Sequence, residues 1–373
     1  MKAGWKYVDF NKCIQKIPKQ KQVKSKDYLT SGLFPIVSQE MELVSGYWND
    51  ESFLYKIDKP IVVFGDHTKV IKYIDFDFVV GADGTQLLKP IDQLDTKFFY
   101  YFLKSIILRD LGYARHFKLL KQVPIPLPSL SEQGEIVAYL DKEFALIDAL
   151  REKATLQLQA AKDLFQSALK QLLTPKHGWE EKKIGEVGKT QTGTTPSKSV
   201  PNNYGGTTPF IRPSEVDYDG TGGVKYDSEI KLSAIGALNG RMFDAGSILM
   251  VCIGATIGKT GYITQEVSCN QQINVVTPYN GYCGKFIYYY LISPDFRAKV
   301  IKEGTSSQAT LPIINKSKWE KLSVFLPPLL EQEEIVRKLD ALSEKCRQLE
   351  ENYRQTITLC NDLKQALLRQ VFE

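Results

Sequence analysis

The sequence has little of what membrane and secreted proteins carry. No apolar run reaches the roughly 20 residues that a membrane-spanning helix needs, and the first ten residues, MKAGWKYVDF, lack the apolar stretch of a secretory signal. Hydrophobic residues make up 43% and charged residues 24% of the 373 positions, which excludes disordered and collagen-like chains. We therefore expect a cytoplasmic globular protein that is long enough for two domains.

Residues that build metal and acid–base sites are also scarce. The six cysteines form no CxxC pair and have no histidine at zinc-finger spacing, so neither a disulfide framework nor a metal site is predicted. The three histidines offer few candidates for an imidazole acid–base centre.

Two enzyme hypotheses find little support. GATIGKT at residues 254–260 resembles a phosphate-binding loop, but three residues separate its glycines where the pattern needs four, which favours a turn between strands. An enzyme that methylates amino groups would need an Asn/Asp-Pro-Pro-aromatic motif, whereas the one Pro-Pro pair lies in FLPPLL, before a helix. The sequence therefore predicts a chain that is not an enzyme and has no metal or cofactor of its own.

The sequence does contain an internal duplication. LPSLSEQGEIVAYLD at 127–141 recurs as LPPLLEQEEIVRKLD at 326–340, with ten of fifteen positions identical. KFFYYFL at 97 recurs as KFIYYYL at 285, and Gly4-Trp5 recurs as Gly178-Trp179. PIVVFGD and SILMVCIG are matching runs typical of buried strands. Because the offset grows from 174 to 188 to 199 residues along the chain, the halves share one scaffold with additional residues in the second.

Each copy of the longest repeat opens a predicted amphipathic helix. Apolar residues recur mostly every three or four positions from Ile136 to Leu172 and from Ile335 to Leu367, as in coiled coils. Ser129 with Glu132 has capping-box spacing, and the prolines at 327–328 prevent an earlier start of the second helix. The regions before the helices mix short strand patterns with turn residues, which is typical of α+β domains.

These observations predict two α+β domains separated by an antiparallel coiled coil of two long helices, with approximate two-fold symmetry. The boundaries are 1–130 for the first domain, 131–173 for the first helix, 174–329 for the second domain and 330–373 for the second helix. Only TPKHG separates the first helix from the second domain, which ends where the second helix begins. Antiparallel helices bring both ends of that domain to one place.

The charge distribution and the loop composition favour DNA binding. Basic residues outnumber acidic ones 19 to 14 and 17 to 13 in the domains, whereas the helices have 5 against 7 and 7 against 9. DNA bases and phosphates are contacted by Arg, Lys, Asn, Gln, Ser and Thr. The candidates in the first domain are Lys19, Lys21, Lys24, Lys26, His67, Lys69, Arg115, His116 and Lys118. Those in the second are Thr194, Ser197, Lys198, Asn202, Asn203, Tyr204, Arg212, Lys259, Asn270, Gln271, Gln272, Ser306, Ser307 and Gln308.

Taken singly, each of these residues is better explained as a solvated loop residue, but as a group on two copies of one scaffold they favour DNA. A protein–protein scaffold with dimerisation helices is the other interpretation. It predicts no salt-dependent retention on duplex DNA.

Two variable domains, each followed by a long helix that opens with LPxLxEQxEIVxxLD, resemble the specificity subunit of type I restriction-modification systems. The segments FGDHTKVIKYIDFDFVVGADGTQLLKP and CIGATIGKTGYITQEVSCNQQINVVTP support the resemblance. It implies two target-recognition domains that each read one part of a split double-stranded DNA target. It also implies that catalysis belongs to other chains, namely restriction subunits and modification subunits that methylate adenine with S-adenosylmethionine. We expect two modification subunits, one per half.

The halves differ at one motif of this family. GTTPS at 193–197 is present in the second half, whereas the first half has a lysine-rich segment in its place. We therefore expect the two domains to read different sequences.

Overall fold

The protein divides into two compact units of the same design. The first comprises residues 1–155 and 355–373, and the second comprises residues 156–354. The computed structural model describes residues 4–110, 112, 114–217, 223–305 and 311–373. Each unit contains an α+β body and segments of two long helices. None of the helices in these described ranges combines the length and the apolar character that a bilayer-spanning segment needs.

The first body precedes the first long helix. In chain order the elements are β1 (Tyr7–Val8), α1 (Phe10–Cys13), β2 (Ile14–Gln15), β3 (Gln22–Lys24), β4 (Phe34–Val37), β5 (Gly46–Trp48), β6 (Leu54–Tyr55), β7 (Ile61–Gly65), β8 (Ile71–Ile74), β9 (Phe78–Ala82), β10 (Thr85–Pro90), α2 (Thr96–Ser105), α3 (Phe117–Leu120), β11 (Ile125–Pro126) and the long helix α4 (Leu130–Leu173).

The second body lies between the two long helices. Its elements are β12 (Glu180–Lys183), α5 (Ile184–Val187), β13 (Gly188–Thr192), β14 (Tyr204–Ile211), β15 (Lys231–Leu232), α6 (Ala234–Asn239), β16 (Met242–Phe243), β17 (Ile248–Val251), β18 (Thr260–Tyr262), β19 (Val267–Cys269), β20 (Ile273–Pro278), α7 (Gly284–Ile292), α8 (Pro294–Thr305), α9 (Lys316–Trp319) and β21 (Ser323–Leu326), followed by the long helix α10 (Leu329–Phe372).

Both bodies contain an antiparallel sheet with equivalent strand order. The order is β2-β10-β7-β8 in the first body and β13-β20-β17-β18 in the second. The central strands β7 and β17 read IVVFG and ILMV and are completely buried. Continuous apolar runs suit strands that are covered on both faces, so the two sequence runs predicted as buried strands are confirmed. GATIGKT forms the turn between β17 and β18, where Gly254 and Gly258 have φ angles of +91° and +85°.

A second, mixed sheet lies in each body. Its order is β3-β9-β4-β5 in the first body, with β6 also paired to β9, and β15-β14-β19-β16 in the second. One parallel pair recurs, because β4 runs parallel to β9 and β14 runs parallel to β19. The short antiparallel pairs β1–β11 and β12–β21 bring the two ends of each body together at the start of the helix that follows.

The long helices run antiparallel, as each unit shows by itself. In the first unit Leu140, near the start of α4, shares a hydrophobic core with Leu368 at the end of α10. In the second unit Leu173, at the end of α4, shares a core with Leu339 near the start of α10. The predicted fold class, two α+β domains with an antiparallel pair of long helices, is therefore confirmed.

The duplicated helix-start motif attaches the first body to α4. The side chain of Gln133 is fully buried. Its Oε1 accepts the backbone N–H of Asp95, the N-cap residue of α2, at 2.7 Å, and its Nε2 donates to two backbone carbonyls at 2.9 Å. Two turns along α4, Asp141 accepts hydrogen bonds from Lys97 Nζ at 2.7 Å and from the Tyr101 hydroxyl at 2.5 Å. The motif residues thus hold the N-terminal half of α2 against the long helix.

The second copy of the motif makes the same contacts. Gln332 Oε1 accepts the N–H of Cys283, the N-cap of α7, at 3.2 Å. Asp340 accepts from Lys285 Nζ at 2.7 Å and from the Tyr289 hydroxyl at 2.5 Å. Burial first, and then the neighbouring carboxylate, raise the pKa of Tyr289, so the hydroxyl remains a donor well into the alkaline range. The repeated tryptophan also contacts the helix-start motif, since Nε1 of Trp5 donates to Glu132.

Gln133→Leu is expected to lower the melting temperature of the purified chain by several degrees. The substitution removes the acceptor of the Asp95 N–H and the donor to two carbonyls, and each lost hydrogen bond costs about 0.5–1.5 kcal/mol. Circular dichroism during heating measures the transition. Gln157→Leu, at an exposed position of α4, is the matched control and should change stability by no more than about 0.5 kcal/mol. Equal melting temperatures for the two variants would show that the Gln133 contacts are not stabilising.

Candidate nucleic-acid interface

In the first body, the carboxyl ends of three strands meet at one edge of the mixed sheet. β3 and β9 are parallel, with Lys24 opposite Ala82, and β4 and β9 are parallel, with Val37 opposite Val80. The segments that follow these strands therefore leave the sheet on the same side. In open sheets, such an edge is where ligands commonly bind.

Asp66 ties two further segments to this edge. It follows β7 and its side chain is almost completely buried. Its N–H donates to the carbonyl of Gly84 at 2.8 Å, and its own carbonyl accepts the N–H of His116 at 2.8 Å. Its carboxylate Oδ1 accepts the N–H of Phe117 at 2.7 Å. The loop after β9 and the segment before α3 are thus fixed to one residue.

The turn after β7 is fixed to the segment after β4. Gln39 Oε1 accepts the N–H of His67 at 3.1 Å, and its carbonyl accepts the Thr68 hydroxyl at 2.5 Å. Lys69 has a φ of +61°, in the left-handed region, and its ammonium lies 3.2 Å from Asp110. We refer to the segments 24–27, 38–39, 66–69, 82–84 and 114–118 as the first loop cluster.

The structure brings most of the predicted residues of the first domain into this cluster. Side chains on its exposed surface belong to Lys24, Lys26, Arg115 and Lys118, while His67 and Lys69 are half-buried. His116 is fully buried, with its ring Nδ1 3.1 Å from the carbonyl of Asp66, so it holds the segment from inside. Lys21 lies at the opposite end of β3, where it donates to Ser52, and Lys19 is exposed two residues before it.

The second body has an equivalent edge. β14 and β19 are parallel, with Ile211 opposite Cys269. The next residues, Arg212 and Asn270, leave the sheet together, and Asn270 donates its N–H to the carbonyl of Ile211 at 3.0 Å. Thr194 joins them by donating its N–H to the carbonyl of Cys269 at 2.9 Å.

The three residues after β19 form a compact polar turn. Asn270 Nδ2 donates to Gln272 Oε1 at 2.9 Å, and Gln272 donates its N–H back to Asn270 Oδ1 at 3.1 Å. Gln271 is exposed, and its Oε1 accepts the Thr195 hydroxyl at 2.5 Å. The carbonyl of Gln272 accepts the N–H of Cys252 at 2.9 Å. We refer to segments 194–195, 212, 259 and 270–272 as the second loop cluster.

The two basic residues of the second loop cluster have protein partners. Arg212 Nη2 lies 2.8 Å from Glu215 Oε1, and Lys259 Nζ lies 3.4 Å from the carbonyl of Asp217. Burial opposes ionisation of Glu215, but the hydrogen bonds from Arg212 hold the pKa of Glu215 below its ordinary value. Glu215 in turn raises the pKa of Arg212. The Arg212 charge is therefore largely compensated.

Most of the remaining predicted residues of the second domain lie at the end of the GTTPS segment or shortly after it. Asn203 is buried and its Nδ2 donates to the carbonyl of Ser197 at 2.9 Å, while the Tyr204 hydroxyl donates to the carbonyl of Pro196 at 2.5 Å. Lys198 and Asn202 are exposed. Ser306, Ser307 and Gln308 lie outside the described residues.

The clusters also contain residues that were not predicted from the sequence, among them Thr195, Gln39, Asp66 and Asp83. Thr195 lies inside the GTTPS motif, and Gln39 and Asp83 follow β4 and β9 in the first body. Aligning ADGTQLLKP with NQQINVVTP places Asp83 opposite Gln271 and could have identified it. Gln39 gives no such signal, because its position depends on the long-range pairing of β4 with β9.

Comparison with known proteins adds independent information. A family model described as the type I restriction modification DNA specificity domain matches residues 4–160 and 176–359. The specificity subunit of the Escherichia coli type I restriction enzyme EcoR124I/EcoR124II is 28% identical over 345 residues, which are 87% of this chain and 82% of that protein.

Two solved structures share the fold. One chain, solved to explain complex assembly and conformational transition of the type I R-M system, has a TM-score of 0.73 at 21% identity, covering 100% of this chain and 98% of that one. The HsdS subunit from Thermoanaerobacter tengcongensis has a TM-score of 0.52 at 19% identity, covering 99% and 97%.

Asp66→Ala is expected to release the segment before α3. The Phe117 amide loses a charged acceptor, and such bonds contribute about 1.5–3 kcal/mol, so its hydrogen exchange should accelerate about tenfold or more. Exchange measured by NMR or mass spectrometry reports this change. Asp58→Ala removes an exposed carboxylate that contacts Lys89 and should leave the Phe117 amide protected. Unchanged protection in Asp66→Ala would mean that the carboxylate does not hold the segment.

Proposed function

Because the chain belongs to the type I restriction modification DNA specificity family, we propose that it is the DNA-recognition subunit of such a system, with each body reading one part of a bipartite target. The observation that carries this proposal is the duplication of the loop cluster. Each body presents polar loops at the carboxyl ends of parallel strands, and in each the loop after β9 or β19 accepts a backbone hydrogen bond from the residue that follows the central strand. Two loop clusters with similar backbones and different side chains suit a target that consists of two different short sequences.

The exposed side chains of the loop clusters suit the chemistry of duplex DNA. Lys24, Lys26 and Lys118 supply positive charge for phosphate oxygens, which fix the position of a protein on DNA. Gln271 supplies an amide and Thr195 a hydroxyl, which hydrogen-bond to base edges. The side chains of the buried candidates, His116 and Asn203, contact loop carbonyls and hold the loops in place.

The chemistry of methylation and cleavage belongs to partner chains in this proposal. An exposed apolar row follows one face of α4 in the first unit, where Tyr139, Leu146 and Leu150 are spaced by seven and four residues, and Leu359 with Leu363 lies exposed on α10. Such rows suit packing of partner helices. We assign these rows to a modification subunit that uses S-adenosylmethionine, and because the chain is duplicated we expect a second such subunit on the other half, with restriction subunits joining the same complex.

The decisive experiment maps methylated adenines in cells that carry the complete system, with and without this chain. We expect a motif of two short sequences separated by a fixed gap, which disappears when the chain is deleted. The purified chain alone should transfer no methyl group from S-adenosylmethionine. The purified complex, weighed by native mass spectrometry, should hold two modification subunits per chain. A continuous motif would contradict the bipartite reading, and one modification subunit at saturation would contradict the assignment of one per half.

Salt dependence tests the phosphate contacts. Replacing Lys24 and Lys26 together by Ala should weaken binding equally on all DNA sequences and reduce the slope of log affinity against log salt by about 2, since each lost phosphate contact removes about 1. Fluorescence anisotropy of labelled duplex at several salt concentrations measures the slope. Lys142→Ala with Lys153→Ala, on the exposed face of α4, is the control pair and should leave the slope unchanged. A protein scaffold would show no steep slope in any variant.

A further inference from the structure

One exposed side chain occupies the same structural position in both loop clusters. Strand β10 starts with Thr85 opposite Gly65, and β20 starts with Ile273 opposite Val251. The residues two positions before these starts are Asp83 and Gln271.

The hydrogen bonds around the two residues confirm the equivalence. Asp66 donates its N–H to the carbonyl immediately after Asp83, and Cys252 donates its N–H to the carbonyl immediately after Gln271. In both bodies the residue after the exposed side chain is therefore bonded to the residue that follows the central strand. The side chains themselves are exposed. A rigid backbone with an exposed polar side chain is what base reading requires, because hydrogen-bond geometry must be set before binding.

Asp83 is unsuited to a phosphate contact. A carboxylate repels phosphate oxygens, yet Asp83 lies next to the end of β3, where Lys24 and Lys26 are exposed. In the major groove, a carboxylate can accept a hydrogen bond from N4 of cytosine. Arg115 Nη2 lies 3.9 Å from Asp83 Oδ2, and the Arg115 side chain is 67% exposed. Arginine donates to O6 and N7 of guanine, so the two side chains together match the edges of one C·G base pair.

Gln271 carries a different chemistry at the same position. Its Oε1 accepts the Thr195 hydroxyl, which fixes the orientation of the amide and directs Nε2 away from that contact. A carbonyl oxygen has a second lone pair. The oriented amide can therefore accept from N6 of adenine while Nε2 donates to N7, the bidentate contact by which glutamine selects adenine.

We propose that Asp83 and Gln271 are the equivalent base-reading residues of the two bodies: Asp83 with Arg115 selects a C·G pair in the first half-site, and Gln271 selects an A·T pair in the second. This inference rests on the proposed function, and it names the residues that read the target. Each assignment follows from the exposed hydrogen-bonding groups at one shared backbone position.

The test replaces these groups by near-isosteric ones in the complete system. Asp83→Asn should weaken the preference for C·G over A·T at one position of the first half-site, where Arg115 still favours guanine, and Gln271→Glu should shift one position of the second half-site from A·T toward C·G. Arg115→Lys, which keeps the charge and loses the two-pronged donor, should relax the same base pair as Asp83→Asn. Each shift should amount to about 5- to 150-fold in relative affinity. Methylation mapping and selection of randomised duplexes with the purified complex both measure it.

Controls keep the outcome unambiguous. Asp58→Asn and Gln157→Glu make the same chemical changes at exposed positions outside the loop clusters and should leave the motif unchanged. An unchanged motif in Asp83→Asn and Gln271→Glu, or uniformly weaker binding with the same motif, would overturn the proposal. If a variant fails to fold, the motif of the wild-type complex still tests the proposal. A first half-site without a C·G pair, or a second half-site without an A·T pair, would also overturn the proposal. A wild-type complex that yields no bipartite motif would instead refute the proposed function.

Discussion

The attachment of each body to its long helix depends on one buried glutamine. Gln133 and Gln332 each occupy the first turn of a long helix and bond to the N-cap residue of the helix that packs against it. Its Oε1 accepts the N–H of that N-cap residue, and at the same time its Nε2 donates to a backbone carbonyl just before the long helix. Moving either helix alone would break these hydrogen bonds and leave the buried amide without partners. These hydrogen bonds hold each body at a defined position along the long helix that follows it.

The same constraint explains which residues recur in the two copies. Trp5 with Glu132, and Asp141 with Lys97 and Tyr101, contact each other across the junction of body and helix, and each has a counterpart in the second unit. These side chains act in pairs, so a change in one removes the partner of another. At the exposed positions of the loop clusters the partners lie within the cluster, as with Thr195 and Gln271, and not on a long helix. Asp83 and Gln271 differ in charge and in hydrogen-bonding groups although the carbonyl that follows each accepts an equivalent backbone hydrogen bond.

The long helices and the central strands could be predicted because their signals are local. A spacing of three and four residues, bounded by Pro327-Pro328 and by Pro175, defines the helices, and uninterrupted apolar runs define β7 and β17. The composition of the loop clusters could not be predicted in this way. Lys24, Gln39 and Asp83 come together only because β3, β9 and β4 pair in parallel, over long stretches of intervening chain. His116 and Asn203 are polar residues in polar segments, and the sequence does not distinguish a side chain that supports a loop from one that projects out of it.

This division between buried junction positions and exposed loop positions has an energetic consequence for how specificity can change. A substitution at an exposed loop position alters stability by about 0.5 kcal/mol or less, whereas loss of a buried hydrogen-bonding partner costs about 1–3 kcal/mol. Natural proteins have total stabilities of only about 5–15 kcal/mol, so the second kind of change is soon limiting. The loop side chains that we propose as DNA contacts can therefore be exchanged while the attachment to the helices is kept. The duplication within this chain illustrates this, since one scaffold carries a carboxylate in one copy and an amide in the other at the same position.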